Sequence, residues 1–459
     1  VMHPKRRKGL PANCSYFLYF KEYISYNFPD MKKDMLKGII RDFHVEPLAE
    51  LFDRDIEAPL SSGKIISLIG VRRSGKTSFL LNFIGKLKKQ GIGMKNVLYL
   101  NFEDERLDLK TDELDLVLQA YRELYPDLNM KECYFFFDEI QNIENWEKFV
   151  RRVYDSVTKN IFITGSNSRF LSSDIATSLR GRTLSYEVFP LSFREYLRFN
   201  GVGIDLHSSR SLATISNSLH NYLVNGGFPE VVTYDDKLRE KVLQEYFNVM
   251  IYRDMVERYE IKNAAILKFF IKRVLASSTK QLSVNTIYNE LKSSGLKIGK
   301  NPLYEYLDAC QGIYLAFVLK KFSHKFVSRE LGERKVYCID NGLLNAVNFR
   351  FSDDKGKAME QVVFLELKRT GKEIYFYKDR YECDFIVKEG NRVSSVIQVS
   401  QTLADEKTER RELRGIVDAC REFGLRQGII ITSDASEDFE VEKIRIQTVP
   451  LYRWLLSDT

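Results

Sequence analysis

Residues 70–77 read GVRRSGKT, a full match to the pattern G-x-x-x-x-G-K-[ST]. In that pattern Gly70 and Gly75 permit a tight turn and the amides of residues 71–77, Arg72, Arg73 and Ser74 among them, point at phosphate oxygens. Lys76 reaches the β and γ phosphates of ATP, the Thr77 hydroxyl can hold Mg²⁺, and Ser78 continues the same first helical turn. A second constellation is YFFFDEIQ at 134–141, an apolar run that ends in Asp138 and Glu139. Asp138 suits a grip on the Mg²⁺, and Glu139 suits a general base for the attacking water. Further on, NIFITGSN ends in Thr164, Ser166 and Asn167, of which Thr164 and Asn167 are the candidates for sensing the γ-phosphate. LRGRT then brings Arg180 and Arg182, candidates for stabilising transition-state charge from the same chain or from a neighbouring subunit. For either arginine alone the alternative is a surface ion pair. Together the residues imply hydrolysis rather than binding alone.

Such chemistry needs a scaffold of buried parallel strands. Short apolar runs at 64–70, 96–104, 133–139, 160–166 and 183–189, rich in β-branched and aromatic residues, predict five strands buried on both faces. Helical spacing between them, at 76–90 and at 145–157 with Phe149, Val150, Val153, Tyr154 and Val157 on one side, predicts the α/β alternation of a three-layer P-loop sheet. The loop thus falls between a strand and a helix, as phosphate binding requires. An Arg-rich helical region follows over 193–260, interrupted at NGGFPE. Residues 261–345 present three short helices and two strand-like runs, the order of a winged helix-turn-helix. Residues 346–459 open a further α/β unit, while 1–30 show no clear period and are set aside as a leader, leaving 31–192 as the ATPase core.

At 459 residues with 44% hydrophobic and 29% charged residues, the chain is expected to fold around several cores, and wholesale disorder is excluded. No apolar run approaches the roughly 18 residues needed to cross a bilayer, so a cytoplasmic protein without a membrane partner is expected. The six cysteines and five histidines are scattered, which predicts reduced thiols and no structural metal. Charge is concentrated: residues 261–330 hold 12 Lys and Arg against 4 Asp and Glu, while the rest of the chain is nearly balanced at 58 against 59. A polyanion, most simply duplex DNA, is the partner this predicts; a solvated basic face is the alternative. Lys297, Lys300 and Asn301 fall at the start of the third helix of that segment, and Lys320, Lys321 and Lys325 at its strand-like runs, where they can straddle a phosphate backbone. A protein partner remains the other candidate, because a winged helix does not guarantee DNA binding.

With GVRRSGKT, FFFDEIQNIENWEKFVRRVYD, ITGSNSRFLSSDIATSLRGRT, FPLSFREYL and YRDMVERY, the chain resembles the prokaryotic, largely archaeal, AAA-type ATPases that carry a C-terminal domain of unknown function. The resemblance spans about Met31 to the C-terminus. It implies an ATPase core with a catalytic Glu, a helical lid in which Arg253 and Asp254 complete the nucleotide pocket, a winged helix, and a restriction-endonuclease-like (PD-(D/E)xK) C-terminal domain. Such nucleases use a helix Glu, a strand Asp and an (E/Q)-x-K on the next strand. The matching positions here are Glu360, Asp384 and Gln398, but the lysine position is Ser400. The three are expected to cluster as a remnant that does not cut DNA. An ATPase that rearranges its domains on DNA, a nucleotide-dependent switch for a protein partner, and an ATP-controlled nuclease are thus the competing functions, with oligomerisation possible for each.

Overall fold

A computed structural model describes residues 14–49, 51–165, 177–348 and 354–457. Helix α1 (Cys14–Val45) opens it and extends back across the segment set aside as a leader, so the element expected from Met31 starts earlier. Leu36 and Ile40 of α1 are buried, and His44 reaches the Val97 carbonyl at 2.7 Å. Then follow β1 (Ile65–Ile69), α2 (Lys76–Lys89), β2 (Val97–Asn101), α3 (Asp115–Leu124), β3 (Tyr134–Asp138), α4 (Trp146–Ser156), β4 (Asn160–Gly165) and β5 (Thr183–Glu187). The five strands form one sheet in the order β2-β3-β4-β1-β5, every neighbouring pair parallel. Central strands are covered on both faces, which is why IISLI and YFFFD lack the polar alternation of a half-exposed strand. This is the P-loop NTPase fold, with the loop of residues 70–75 at the C-terminal edge of the innermost strands.

Helices Phe193–Phe199, Ser209–Asn225 and Asp236–Val249 follow, and the last runs directly into a π-helical turn, Met250–Glu257. Three further helices, Ala264–Ala276, Val284–Ser293 and Lys300–Gly312, lead to an antiparallel pair, β6 (Ala316–Lys320) and β7 (Arg334–Cys338), bridged by a short helix, Phe326–Leu331. After the helix Lys355–Arg369 comes a second sheet of β8 (Glu373–Lys378), β9 (Glu382–Glu389), β10 (Arg392–Val399), β11 (Gln427–Thr432), β12 (Asp438–Val441) and β13 (Ile444–Pro450), in the order β12-β13-β11-β10-β9-β8. The helix Glu406–Glu422 and a final turn, Leu451–Leu456, flank it.

Of the several cores expected, one is shared: a continuous apolar cluster runs from Leu36 through Phe193, Phe270 and Tyr337 to Leu456, with smaller clusters on the α2 face of the first sheet and the outer face of the second. Cysteines 133, 310, 338, 383 and 420 are free and buried. Among the described residues no helix is long and apolar enough to cross a membrane.

One buried carboxylate joins the middle of the chain to its lid. Asp340 accepts from Gly227 N at 2.7 Å and Leu343 N at 2.9 Å, so it closes the NGG turn and caps the helix Asn341–Val347 at once. Asp340→Ala leaves both buried amides without an acceptor and should cost about 1–3 kcal/mol, whereas Asp405→Ala, which removes an exposed N-cap, should cost clearly less. Thermal melting of the two variants checks this, and equal melting temperatures would refute the assigned role.

Candidate functional site

The loop is shaped by contacts that admit few residue types. A Cβ on Gly70 would lie 2.2 Å from the Val188 carbonyl oxygen, and Gly75 takes a φ of 94° as it opens α2, so the turn requires glycine at both positions. Lys76 is buried; its ammonium lies 3.2 Å and 3.0 Å from the carbonyls of Gly70 and Val71 and 3.8 Å from Glu139. Burial lowers its pKa, against the raising effect of Glu139 and Asp138.

Behind the loop, Asp138 is fully buried at the end of β3. Its carboxylate accepts from the hydroxyls of Thr164 and Thr77 and from Tyr99, the last at 3.0 Å. Desolvation raises its pKa while the Thr164 and Thr77 hydroxyls oppose the rise. Glu139 follows with a φ of 49°, a left-handed residue that swings its carboxylate out of the strand direction, and Gln141 donates to it. Lys76, Thr77, Ser78 and Glu139 line a cavity of about 500 Å³, walled also by Arg72, Arg73, Glu103 and Glu230 and, on its apolar side, by Leu51, Phe52, Leu191 and Phe199. Ser74 is buried beside it with a hydroxyl that has no hydrogen-bond partner. These residues fit a nucleotide with a divalent cation: an amide turn, a buried ammonium, a hydroxyl–carboxylate pair and an apolar wall.

Both loop arginines are held by the lid. Arg72 pairs with Asp254 of the π-helical turn, at 3.3 Å through two nitrogens, and with Glu103 at 3.0 Å; these carboxylates push its pKa up although burial opposes them. Arg253 lies 3.2 Å from Glu103, so the YRD segment reaches the pocket through Glu103 and Arg72. Arg73 pairs with Glu230 at 3.3 Å and stacks over Tyr246.

Other expected residues sit elsewhere. Thr164 is fully buried, its hydroxyl donating to Asp138 and accepting from Glu139 N at 2.8 Å, so in this structure it positions the two carboxylates and its proton faces Asp138. Ser166 and Asn167 lie outside the described residues. Arg182 is at the N-terminal edge of the sheet, where its carbonyl accepts from Ile65 N and its guanidinium binds Asp155 at 3.1 Å. The loop lies beyond the opposite end of β1, about 16 Å away for five residues. The Arg182 guanidinium is therefore turned away from this chain's own loop, and Arg180 beside it is exposed. Lys297, Lys300 and Asn301 are exposed at the start of the helix Lys300–Gly312, as expected. Lys320 is paired with Glu330 and Lys321 is half-buried where it meets Phe376, so neither is a free contact for a phosphate backbone.

The remnant residues do converge. Asp384 accepts from Lys335 at 3.0 Å and Glu360 from the same ammonium at 3.3 Å, while Gln398 turns back to accept from Asp384 N at 3.1 Å and donate to Glu412 at 2.6 Å.

The fold and this site define an AAA-type P-loop NTPase domain, and residues 62–197 match the AAA domain family, which implies nucleotide binding. Residues 216–354 and 355–454 match two domains of unknown function. The chain is 37% identical over 441 residues to an uncharacterized protein of Methanocaldococcus jannaschii, covering 93% of this chain and 96% of that one. It is 30% identical over 425 residues to an uncharacterized protein of Haemophilus influenzae, covering 92% and 100%. The chain belongs to the family of these two archaeal and bacterial proteins. Among solved structures it is similar to the Aeropyrum pernix ORC1 protein in complex with DNA, at 13% identity and a TM-score of 0.28 over 63% of this chain and 87% of that one.

Sequence spacing could not find Arg54. Its guanidinium binds Glu195 at 2.8 Å, the Ser74 carbonyl at 2.9 Å and the Phe189 carbonyl at 2.7 Å, while Glu195 also closes a capping box with Ser192. Arg54 therefore fixes one carbonyl of the loop, and with it the direction of the neighbouring amides. Arg54→Ala should weaken nucleotide binding by about tenfold or more, roughly 1.4 kcal/mol, and Arg54→Lys should not restore it because one ammonium cannot span three acceptors. Calorimetric titration with ATP measures this; an unchanged Kd in the alanine variant would remove the role.

Proposed function

We propose that this protein is a Mg²⁺-dependent ATPase that uses the nucleotide cycle to rearrange its lid and later domains on duplex DNA. The observation that carries the ATPase reading is the convergence of Lys76, Thr77 and Glu139 on one cavity beneath a glycine-bounded amide turn, with the buried Asp138 hydrogen-bonded to Thr77 behind it. In this reading the loop amides and Lys76 hold the β and γ phosphates, and Thr77 and Asp138 hold the Mg²⁺, which when bound neutralises phosphate charge. Glu139 accepts the proton of the attacking water, Gln141 and Thr164 keep its carboxylate and backbone in register, and the apolar wall of Phe52 and Phe199 receives the base. Arg180 and Arg182 serve a neighbouring copy's nucleotide if the protein assembles.

The distinguishing test uses two substitutions in different roles. Lys76→Ala should lose nucleotide binding, whereas Glu139→Gln should retain ATP and lower turnover by roughly 100-fold or more, because only proton transfer is removed. Phosphate release and ATP binding, measured together with and without Mg²⁺, check both. Wild-type turnover in Glu139→Gln would sink the assignment of the base.

The DNA reading is supported by the charge excess in 261–330 and by the order of three helices followed by an antiparallel hairpin, the arrangement of a winged helix. Lys297, Lys300 and Asn301 then meet the groove, with Lys325 beside the hairpin contacting the backbone. One observation favours a protein partner instead: Phe326, Val327 and Leu331 of the short helix are 67%, 64% and 77% exposed. Fluorescence anisotropy with a DNA duplex across a salt series separates the two. Binding should fall steeply with salt, and Lys297→Ala Lys300→Ala should reduce the log–log slope by about two. Absent binding at low salt would favour the apolar face and a protein.

A further inference from the structure

The nuclease-like cluster lacks a lysine in its own domain, yet a lysine is there. Lys335 lies on β7 of the helix–hairpin unit, and its side chain, 3% exposed, crosses into the C-terminal domain. Its ammonium is 3.0 Å from Asp384, 2.9 Å from Glu382 and 3.3 Å from Glu360, and it lies over the Phe376 ring at 5.7 Å. Tyr337, two residues on and on the same face of the strand, donates to Glu360 at 2.7 Å and stacks on Phe364 with ring centroids 4.0 Å apart. Next to it the buried Gln361 amide accepts from Ser278 and from Cys338 N and donates to the Cys338 carbonyl. The backbone continues the contact, because Phe322 N donates to the Phe376 carbonyl at 2.7 Å.

We propose that Lys335 is an internal counter-cation that latches the helix–hairpin unit onto the C-terminal domain and closes the Glu360–Asp384 cluster to metal ions and to nucleic acid. Burial decides between this and a catalytic lysine. A lysine that assists phosphodiester cleavage must share its site with a metal and a phosphate. Here the ammonium already takes an oxygen from each carboxylate, and the second Asp384 oxygen accepts from Val399 N at 3.1 Å. Among the described residues no group of acidic, histidine or cysteine side chains is arranged to hold a metal. Desolvation opposes the lysine's charge, but the carboxylates, Asp384 first, hold its pKa well above the ordinary value, so it stays a cation.

A latch made of opposite buried charges differs from simple packing in how its parts substitute. Lys335→Met strands the buried Glu360 and Asp384 carboxylates, while the partly exposed Glu382 keeps Lys378, and should melt several degrees below wild type, with faster hydrogen exchange in β6, β7 and β9. Adding Glu360→Gln and Asp384→Asn to Lys335→Met removes the stranded charge and should restore a substantial part of the loss. A single variant as stable as wild type, or a triple variant no better than the single, would overturn the latch. Should Lys335→Met not fold, amine labelling of the wild-type chain with mass spectrometry gives the answer: Lys335 should be protected while Lys297 and Lys300 react, and should become reactive in Glu360→Gln Asp384→Asn. Equal labelling of Lys335 and Lys297 in wild type counts against the proposal. Finally, Mn²⁺ without nucleotide should leave wild-type melting unchanged and plasmid DNA uncut; stabilisation or nicking that disappears in Asp384→Asn would show an open metal site.

Discussion

A charge taken out of water must find compensating groups inside the protein, and in this chain that requirement governs both the nucleotide loop and the domain contacts. Lys76 cannot be buried unless something answers its ammonium, and the loop's own carbonyls and Glu139 do so at 3.0–3.8 Å. Those carbonyls are available because the loop curls back on itself, and it can curl only with glycine at residue 70, where any Cβ would meet the Val188 carbonyl. Asp138 faces the same requirement from the other sign and answers it with three hydroxyls, from Thr77, Tyr99 and Thr164. The sheet order serves this need: β4 lies beside β3, which brings Thr164 within reach of Asp138.

What was legible in the sequence was whatever repeats at short range. The strands IISLI, YFFFD and NIFITG announce themselves by unbroken apolarity, the α4 stripe by its helical period, and the loop by fixed spacing, so the ATPase core could be drawn from residue order alone. The hidden parts are long-range pairings of ordinary charged residues. Arg54 sits in a linker with no periodicity and meets Glu195 across 141 positions. Lys335 reaches Asp384 across 49, and nothing in RKVYC distinguishes it from a solvated strand residue. Thr164 shows a subtler limit: its position at a strand end was right, but a hydroxyl there can face a phosphate or a carboxylate, and only the buried Asp138 decides which. The start of α1 was missed for the opposite reason, because its first half carries no clear apolar period to signal a helix.

The π-helical turn at Met250–Glu257 carries the carboxylate that holds Arg72 beside the loop. A turn with one extra residue shifts the register of the side chains that follow, and such turns are concentrated at functional positions. Here the helix Asp236–Val249 buries Leu243 and Phe247 in the shared core, while the turn presents Asp254 to Arg72 and Arg253 to Glu103. Arg72 and Arg73 thereby differ from Lys76 in kind: each is neutralised by the lid, at Asp254 and Glu230, and not by the loop itself. Polyphosphate arriving at the loop competes for the same guanidinium groups, so nucleotide charge is set against lid carboxylates at two points.

That competition bears on the rest of the molecule because the lid is not an independent cap. The helix Ser209–Asn225 ends at the glycines whose amide is bound by Asp340, and Asp340 lies two residues beyond the end of the strand that carries Lys335. From Arg72 to Asp254, along the backbone to Gly227 and Asp340, and through β7 to Asp384, polar contacts and covalent backbone alternate, and the apolar core runs alongside them. Contiguity by itself is not coupling; what gives it direction is that the two ends differ in exchangeability. At the loop, lid carboxylates can be displaced by a stronger anion from solution. At the C-terminal cluster, Lys335 is sealed from solvent and nothing outside the chain can take its place. In the proposed nucleotide cycle a displacement that starts at the loop would have a fixed end to act against, and the exposed basic surface at Lys297 and Lys300 lies on the unit held between them.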